Sequence, residues 1–521
     1  MTARSPSPRQ AIAVAGLHVW GLTLLALHIY ARTLPPTPVP IPPPDSAEAA
    51  WWGLWPAAYV PAPWFWAGCA LVVATMIWGW RQLHTSWRSD PVIPIRPPVI
   101  PRRSRGIPLG SSLDQRDSSS QTGALWARND RATYRVNSAG QIVLAGLLLL
   151  GFFAFPIVHT RWGDAYLLSR ALAWPDPALR LTHSWQAPLD VWLHSRVWLA
   201  LGPRLGWTDA VPVYRLLSPL AGAGFLAVLL AWSRDRDFAP GWLVFGLTAS
   251  LGLLQLFFGY IENYSFAAAG ILLFLWLGYR AAMGRAPLWQ ASLALAVTNA
   301  THPSTVVLAP ALLYLGWTVA RRGTITYRRA VVEIAVPMLL VATATVLLME
   351  AGGHGLAALL TTDRPGGSDA RWFVPLWTTS TRWEAYTLVS WLHARDLLNQ
   401  MLLVAPVVLP ALLWLFAIGG YAVHEVAAQP HRSEASPSFA VFLAVAALSY
   451  LALILVWNPD YGGQRDWDLF SLAWIPMTLW LTGLAARRLA ALTAGFAPLL
   501  VLQALHTAAW VYQNTLPWSW P

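Results

Sequence analysis

Residues 141–174 read QIVLAGLLLLGFFAFPIVHTRWGDAYLLSRALAW, an apolar run followed at once by a polar segment that contains Asp164. The apolar part, at about 141–159, is long enough to cross a hydrocarbon core about 30 Å thick. After Asp164, apolar residues recur at helical spacing, which indicates a helix that lies along the membrane surface. This stretch therefore predicts a membrane-crossing helix that brings a carboxyl group to the membrane boundary.

Similar apolar runs occur along the whole chain. Hydrophobic residues make up 56% of the 521 residues and charged residues only 11%, whereas about 25% of the residues in a soluble domain are charged. A water-facing surface of ordinary polarity cannot be built from so few charges. We therefore predict an all-α, polytopic bundle of transmembrane helices embedded in a lipid bilayer.

The apolar runs predict about thirteen spans. They lie at about 11–31, 63–81, 141–159, 211–232, 241–259, 264–282, 287–300, 303–319, 330–349, 397–420, 437–456, 469–485 and 490–511. His302-Pro303 splits the apolar stretch at 287–319 into two short halves, so this stretch also fits one broken helix.

The orientation follows from the basic residues, all of which are arginine. They gather between alternate spans, as the positive-inside rule expects of cytoplasmic segments. This topology predicts a multi-pass protein of the cell (inner) membrane with its N-terminus in the cytoplasm and its C-terminus outside. The same distribution accounts for the net charge of +11, and nothing in it indicates binding of nucleic acid.

The chain divides into three predicted units. Residues 1–81 form an N-terminal two-helix membrane unit, and residues 141–521 form the main bundle. Residues 82–140 are rich in Pro, Ser and Arg and predict a disordered cytoplasmic linker. Cys69, the single cysteine, lies inside a span, which excludes a disulfide framework and a Cys-based metal site.

Polar and charged residues concentrate in the segments that this topology puts outside. These segments are 160–210, 259–265, 299–304, 350–396 and 458–470. At the membrane boundary, the Asp164 carboxylate can meet both a lipid-borne phosphate and an acceptor from the water side. A carboxylate in this position suits the role of a general base. The alternative is that Asp164 only caps the helix that follows it.

The segment NPDYGGQRDWDLF, at 458–470, is the best candidate for a phosphate site. Arg465 lies between a Gly-Gly pair and two acids, Asp466 and Asp468. A guanidinium grips phosphate oxygens bidentately, glycines allow close backbone approach, and a helix N-terminus favours an anion. The alternative is an Arg–Asp pair that fixes the turn, with Asp468 capping the next helix.

Two tighter corners add Glu262 and His302. Glu262 is either a contact to substrate or metal or a solvated acid in a turn. His302 either lines a cavity at a helix break or has a structural role. A divalent metal bound by Asp164, Glu262 and His302 is one further hypothesis, based on residue types alone. In the 350–396 segment, residues Arg364, Asp369 and Arg371 fit either a loop that orders over substrate or a solvated surface.

The order of these motifs resembles the GT-C superfamily of membrane glycosyltransferases, as in protein O-mannosyltransferases and the lipid A aminoarabinose transferase. The resemblance covers about 141–320. It consists of a span, Gly163-Asp164-Ala165-Tyr166, an interfacial helix, Gln186-Ala187-Pro188-Leu189, and Arg215-Leu216-Leu217-Ser218 at the start of the next span. It implies an essential acid at Asp164. It also implies that substrate contacts lie in this region, for which the candidates are His183, Gln186, Asp190 and Arg215.

The resemblance further implies transfer of a sugar, with hexose or mannose favoured, from a polyprenyl phosphate, usually with inversion at the anomeric carbon. The acceptor would be a glycan, a lipid or a protein. Many members carry two adjacent acids in the first outer loop, whereas Ala165 follows Asp164 here. Asp190 or Glu262 then supplies the second acid, or there is none. The two spans before the linker are another departure from the family.

Two other interpretations stay open. A transporter or lipid-linked sugar flippase would place charges at mid-membrane and often has inverted halves. The sequence instead concentrates its polar residues at the predicted outer boundary, which favours the enzyme. A catalytically inactive relative that acts as an assembly scaffold fits the lack of an adjacent second acid.

Overall fold

The computed structural model describes residues 8–36, 47–88, 139–235, 237–360, 372–381, 384–419, 435–459, 461–488 and 493–517. The regular elements within these ranges are helices, and no strand is present there; a single antiparallel bridge joins Phe373 and Trp457. The all-α prediction is confirmed. The predicted linker at 82–140, apart from its two ends, and the loop residues Arg364, Asp369 and Arg371 lie outside the described ranges.

The helices are numbered here in chain order. They are α1 (Pro8–Thr33), α2 (Ala47–Ala50), α3 (Pro56–Tyr59), α4 (Ala62–Arg88), α5 (Ala139–Ala154), α6 (Ala165–Ala171), α7 (Pro188–Leu205), α8 (Val211–Ser233), α9 (Gly241–Ala249), α10 (Ser265–Ala282), α11 (Leu288–Thr301), α12 (Ala309–Arg321), α13 (Tyr327–Ala351), α14 (Leu356–Leu360), α15 (Trp391–Val404), α16 (Val408–Gly419), α17 (Ala435–Val456), α18 (Trp467–Ser471), α19 (Trp474–Arg488) and α20 (Thr493–Asn514). Short 3₁₀ turns cover Gly252–Phe257 and Pro303–Leu308.

Within the described ranges, nine helical segments are long and apolar enough to cross a membrane. They are Ala11–Thr33, Ala62–Gln82, Val211–Ser233, Ser265–Ala282, Pro303–Arg321, Tyr327–Ala351, Ser438–Val456, Trp467–Ala486 and Gly495–Asn514. A tenth crossing results if α15 and α16, which meet at 100°, are one broken span. The chain is thus a multi-pass membrane protein.

The remaining predicted spans correspond to helices that are shorter than expected. The span predicted at 141–159 is α5, which ends at Ala154. The span predicted at 241–259 ends as α9 at Ala249 and continues as the buried 3₁₀ turn, while α11 has only 14 residues. Hydropathy alone does not separate such segments from full crossings, because protein-buried backbone can leave the helical conformation at membrane depth.

The break between α15 and α16 is surrounded by side chains from other helices. His506 of α20 has its Nε2 3.0 Å from the Leu403 carbonyl oxygen, and Trp20 of α1 donates from its indole nitrogen to the Pro406 carbonyl at 3.1 Å. The Val407 amide donates to a side-chain oxygen of Gln503 at 3.4 Å. Backbone groups freed by the bend therefore have partners within the protein, as an apolar environment requires.

The N-terminal two-helix unit packs directly on the main bundle. Residues of α1 and α4 belong to the same hydrophobic core as α8, α10 and α20. In the segment that connects α1 to α4, the Gly53 amide donates to the Asn399 side chain of α15 at 2.9 Å. That side chain in turn donates to the Ala50 carbonyl at 2.9 Å. A Cβ at Gly53 would collide with the Asn399 backbone carbonyl. This contact therefore requires glycine.

Replacing Asn399 with Ala should lower the free energy of unfolding by about 1–3 kcal/mol, because the buried Gly53 amide loses its acceptor. The measurement is denaturant-induced unfolding of the detergent-solubilised protein. The control is Thr23→Ala, which removes an exposed hydroxyl bonded only to its own helix and should change stability by less than about 0.5 kcal/mol. Equal stability of Asn399→Ala and the control would contradict this docking contact.

Candidate active site

A cavity of about 330 Å³ opens beside Asp164. Its lining combines acidic and other polar side chains with apolar side chains. The polar part includes Asp164, Gln186, Glu262, His302, Asp466 and Asp468. The apolar part includes Val306, Val307, Trp372, Leu453 and Trp457. Six of the ten residues predicted from the sequence therefore line one cavity.

Two distant segments of the chain meet at Gly163. The Gly163 amide donates to the Arg465 carbonyl at 3.0 Å, and the Arg465 guanidinium donates back to the Gly163 carbonyl at 3.4 Å. Gly163 has a φ of +46°, and a Cβ there would contact a Glu262 carboxyl oxygen and lie 3.5 Å from Asp468 Oδ2. The positive φ favours glycine at this position, and the missing side chain leaves room for the Glu262 carboxyl group.

Asp164 is half-buried and faces Tyr461. Its Oδ1 accepts a hydrogen bond from the Tyr461 hydroxyl at 2.8 Å, and its amide donates to Glu262 Oε1. Asp164 occupies the N-cap position of α6, but its side chain makes no capping hydrogen bond. The capping alternative therefore fits the residue's position but not the hydrogen bonding of its side chain.

Glu262 lies next to Asp164 in a buried position. Burial, together with the nearby Asp468 and Asp164 carboxylates, raises the pKa of Glu262 well above its ordinary value. Glu262 thus retains its proton to higher pH than an ordinary glutamate. Of the two candidates for the second acid, Glu262 is the one that lies beside Asp164.

Asp190, the other candidate, is buried on α7 and does not line the cavity. Its Oδ1 lies 2.9 Å from Nδ1 of His194, whose ring stacks on Tyr214 with centroids 4.1 Å apart. Neighbouring apolar residues of α6, α7 and α8 form a second hydrophobic core around this group. Asp190 therefore belongs to the packing of the 160–210 segment rather than to the cavity wall.

His183 and Arg215 also lie away from the cavity lining. The His183 ring stacks on His354 with centroids 5.9 Å apart. Arg215 donates to the Ile157 carbonyl at 2.9 Å, and a Cβ at Gly259 would lie 2.9 Å from the Arg215 Cγ. The Arg215 side chain therefore holds two turns together.

The 458–470 segment contributes two acids to the cavity, and they differ in their position on α18 and in their hydrogen-bond partners. Asp466 accepts a hydrogen bond from the Tyr461 amide at 2.8 Å and occupies the N-cap position of α18. Asp468, in the first turn of α18, is buried and accepts a hydrogen bond from the Tyr260 hydroxyl at 3.0 Å. The N-cap is thus Asp466 and not Asp468. The Arg465 guanidinium lies 4.5 Å from the Tyr461 ring centroid, next to the cavity.

His302 lies on the cavity wall between α11 and the following 3₁₀ turn. Its ring packs on Tyr264 with centroids 4.5 Å apart, and its Nδ1 is 2.8 Å from the Ser304 hydroxyl. Among the residues that the structure describes, no group of three or more His, Cys, Asp or Glu side chains is arranged to hold a metal ion. The geometry therefore does not support a metal site formed by Asp164, Glu262 and His302.

Several residues of the site were not expected from the sequence. Tyr461 contacts Asp164 across 297 positions of the chain, and Trp372 and Trp457 supply an aromatic part of the cavity wall. Tyr461 lies inside the NPDYGG motif, so the motif pointed to the right segment. Its contact with Asp164 required tertiary structure that no local pattern carries.

Replacing Glu262 with Gln should reduce the loss of stability as the pH rises. A group whose folded-state pKa is raised contributes stability below its unfolded pKa, and this contribution is lost as the pH passes through the folded pKa. The unfolded value is 4.5, so the wild type loses this contribution above that pH. The variant cannot ionise, yet its amide oxygen can still accept the Asp164 amide.

The measurement is the thermal unfolding midpoint in detergent from about pH 5 to pH 8. The advantage of Glu262→Gln over the wild type should grow with pH, whereas the exposed Asp176→Asn control should follow the wild type. Parallel pH profiles for Glu262→Gln and the wild type would show that Glu262 ionises normally.

Comparisons of this chain with protein-family models, curated proteins and solved structures gave no match. An activity must therefore be argued from the chemistry of the cavity and its surroundings, since fold class alone does not determine function.

Proposed function

We propose that this chain is a glycosyltransferase that moves a sugar from a polyprenyl-phosphate donor to an acceptor on the outer face of the membrane. The acceptor is a glycan, a lipid or a protein. One observation carries the proposal: Asp164, Glu262, Asp466 and Asp468 meet at a cavity whose remaining wall is largely apolar. Such a cavity can hold a polyhydroxylated sugar and an attached hydrocarbon chain together.

In the proposed reaction, Asp164 is the general base. Tyr461 holds its Oδ1 at 2.8 Å, and we assign Oδ2 to the acceptor hydroxyl. The acceptor oxygen attacks the anomeric carbon while its proton passes to Asp164, and the bond from this carbon to the phosphate oxygen breaks. The electron pair of that bond leaves with the polyprenyl phosphate.

The donor would bind with its phosphate near Arg465 and its lipid along the apolar wall. The Arg465 guanidinium lies beside Gly163 and Tyr461, and its Nε has no hydrogen-bond partner among the described residues. A guanidinium there would stabilise the charge that develops on the leaving phosphate. Val306, Val307 and Leu453 supply the apolar surface.

We further propose the orientation predicted from the arginines, with the N-terminus in the cytoplasm of the cell (inner) membrane and the cavity outside. Its thirteen crossings are the nine long helical segments together with α5, α9 with its 3₁₀ turn, α11, and the bent pair of α15 and α16. Contacts between turns support it. Arg285 pairs with Asp235 at 2.8 Å, joining two turns assigned to the cytoplasmic side. Trp185 donates to the His354 carbonyl at 2.7 Å, joining two segments assigned to the outer side.

Replacing Asp164 with Asn should lower the rate of sugar transfer by about 10²–10⁴-fold, the usual contribution of a general base. The measurement uses protein reconstituted in lipid vesicles with polyprenyl-phosphate sugars and envelope extracts as acceptors. The Asp176→Asn control changes an exposed acid of the same predicted outer segment and should transfer sugar at the wild-type rate. Unchanged transfer by Asp164→Asn would eliminate the role proposed for this residue.

The same vesicles separate the other interpretations. If the wild type moves the donor across the bilayer without forming any glycoside, the protein is a flippase or transporter. If it does neither with any donor, the inactive scaffold interpretation is favoured.

The orientation predicts which positions are accessible from outside the cell. In a Cys69→Ser background, Asp176→Cys should react with a membrane-impermeant maleimide in intact cells, whereas Arg285→Cys should react only after lysis. Both positions are outside the candidate spans. The reverse labelling pattern would overturn the proposed topology.

A further inference from the structure

Tyr461, whose hydroxyl hydrogen-bonds to Asp164, is the first residue of a tight turn at residues 461–466. The Arg465 and Asp466 amides both donate to the Gly462 carbonyl, at 3.0 and 3.1 Å, and Gly462 has a φ of +83°. Tyr461 is fixed at its amide by Asp466 and at its hydroxyl end by Asp164. The position of the Tyr461 hydroxyl therefore depends on the position of this turn.

Asp396 of α15 anchors the turn at Gly463. Its Oδ2 accepts the Gly463 amide at 3.0 Å. A Cβ at Gly463 would lie 2.8 Å from the Gln400 amide nitrogen and would also crowd Asp396. The backbone of the turn therefore packs directly against the Asp396 and Gln400 side chains of α15.

The other oxygen of Asp396 faces the N-terminal unit. Asp396 Oδ1 accepts the Trp52 indole N–H at 3.0 Å, and the Tyr386 hydroxyl also hydrogen-bonds to this carboxylate. Trp52 is buried, and the adjacent Gly53 is held by Asn399 one turn further along α15. One carboxylate thus joins the α2–α3 region, α15 and the turn that carries Tyr461.

We infer that Asp396 is a positioning residue for Asp164, and that the N-terminal unit takes part in the candidate active site through Trp52. The path runs from Trp52 to Asp396, to the Gly463 amide, through the turn to the Tyr461 hydroxyl, and from there to Asp164. The inference rests on the proposed function, because it gives Asp164 the role of the reacting base. The N-terminal unit is then needed for turnover although none of its residues lines the cavity among those described.

A carboxylate suits this position because all three neighbours donate hydrogen bonds. Ionised Asp accepts through both oxygens and carries no proton that would oppose a donor. An Asn side chain has the same shape, but its NH₂ group would face either the Trp52 indole or the Gly463 amide. Asp396→Asn therefore tests the hydrogen bonding at nearly constant volume, and Trp52→Phe removes one donor from the N-terminal side.

The first experiment measures hydrogen exchange of the 461–466 amides in detergent without any substrate. Asp396→Asn should accelerate exchange at Gly463 by about tenfold or more, since hydrogen bonds to charged groups are among the stronger ones. Trp52→Phe, the milder change, should accelerate it less. The matched controls Asp176→Asn and Trp174→Phe alter exposed residues and should leave it unchanged. Wild-type exchange in both test variants would overturn the inference.

The second experiment measures transfer kinetics. Asp396→Asn should lower kcat by about tenfold or more and leave KM for the donor nearly unchanged, because it acts through Tyr461 rather than on substrate. Combined with Tyr461→Phe, it should be no worse than the more severe single variant, since both changes break one path. Fully additive losses would overturn the inference.

The two experiments also separate the two hypotheses. If the wild type transfers no sugar from any donor, the proposed function fails. The exchange rates would still decide whether Asp396 and Trp52 hold the turn.

Discussion

The two hydrogen bonds between Gly163 and Arg465, one of which joins backbone groups, form the contact on which the arrangement of the cavity depends. It joins segments separated by 302 positions in the chain and sets Asp164 and Glu262 beside the turn that carries Asp466. Because Gly163 lacks a side chain, the Glu262 and Asp468 carboxyl groups can approach the same point. The positive φ at Gly163 also disfavours any larger residue there.

Much of the fold could be predicted from the sequence, because long apolar helices carry their own signal. The runs that became α8, α10 and α13 have enough apolar length to identify them without tertiary information. The break after α9 could not be predicted in this way. Gly252 lies against the Leu403 backbone, where a Cβ would collide with the carbonyl oxygen. That approach is a property of packing between distant segments, and an apolar sequence looks the same whether its helix continues or stops.

The sequence predicted several residues of the cavity wall but not the contacts between them. Unusual acids beside spans, such as Glu262 and Asp468, drew attention because charges near a membrane are costly without a partner or a role. The resemblance to the GT-C glycosyltransferases also selected Arg215, whose side chain instead donates to the Ile157 carbonyl. Residue type and boundary position do not reveal which way a side chain points. Tyr461 and Asp396 were missed because a hydroxyl or carboxylate that acts through another residue leaves no mark in local sequence.

The bend between α15 and α16 has a consequence for how the protein assembles in the membrane. The backbone groups that the bend frees form hydrogen bonds with Trp20 of α1 and with Gln503 and His506 of α20. During synthesis, α20 leaves the ribosome after the bend does. The bend is therefore made before Gln503 and His506 are present to hydrogen-bond to it. Until α20 arrives, the bend stays in a polar setting or straightens into a continuous helix. The last described helix therefore completes the bend, and a chain that ended before α20 would lack two of the three side chains that hydrogen-bond to it.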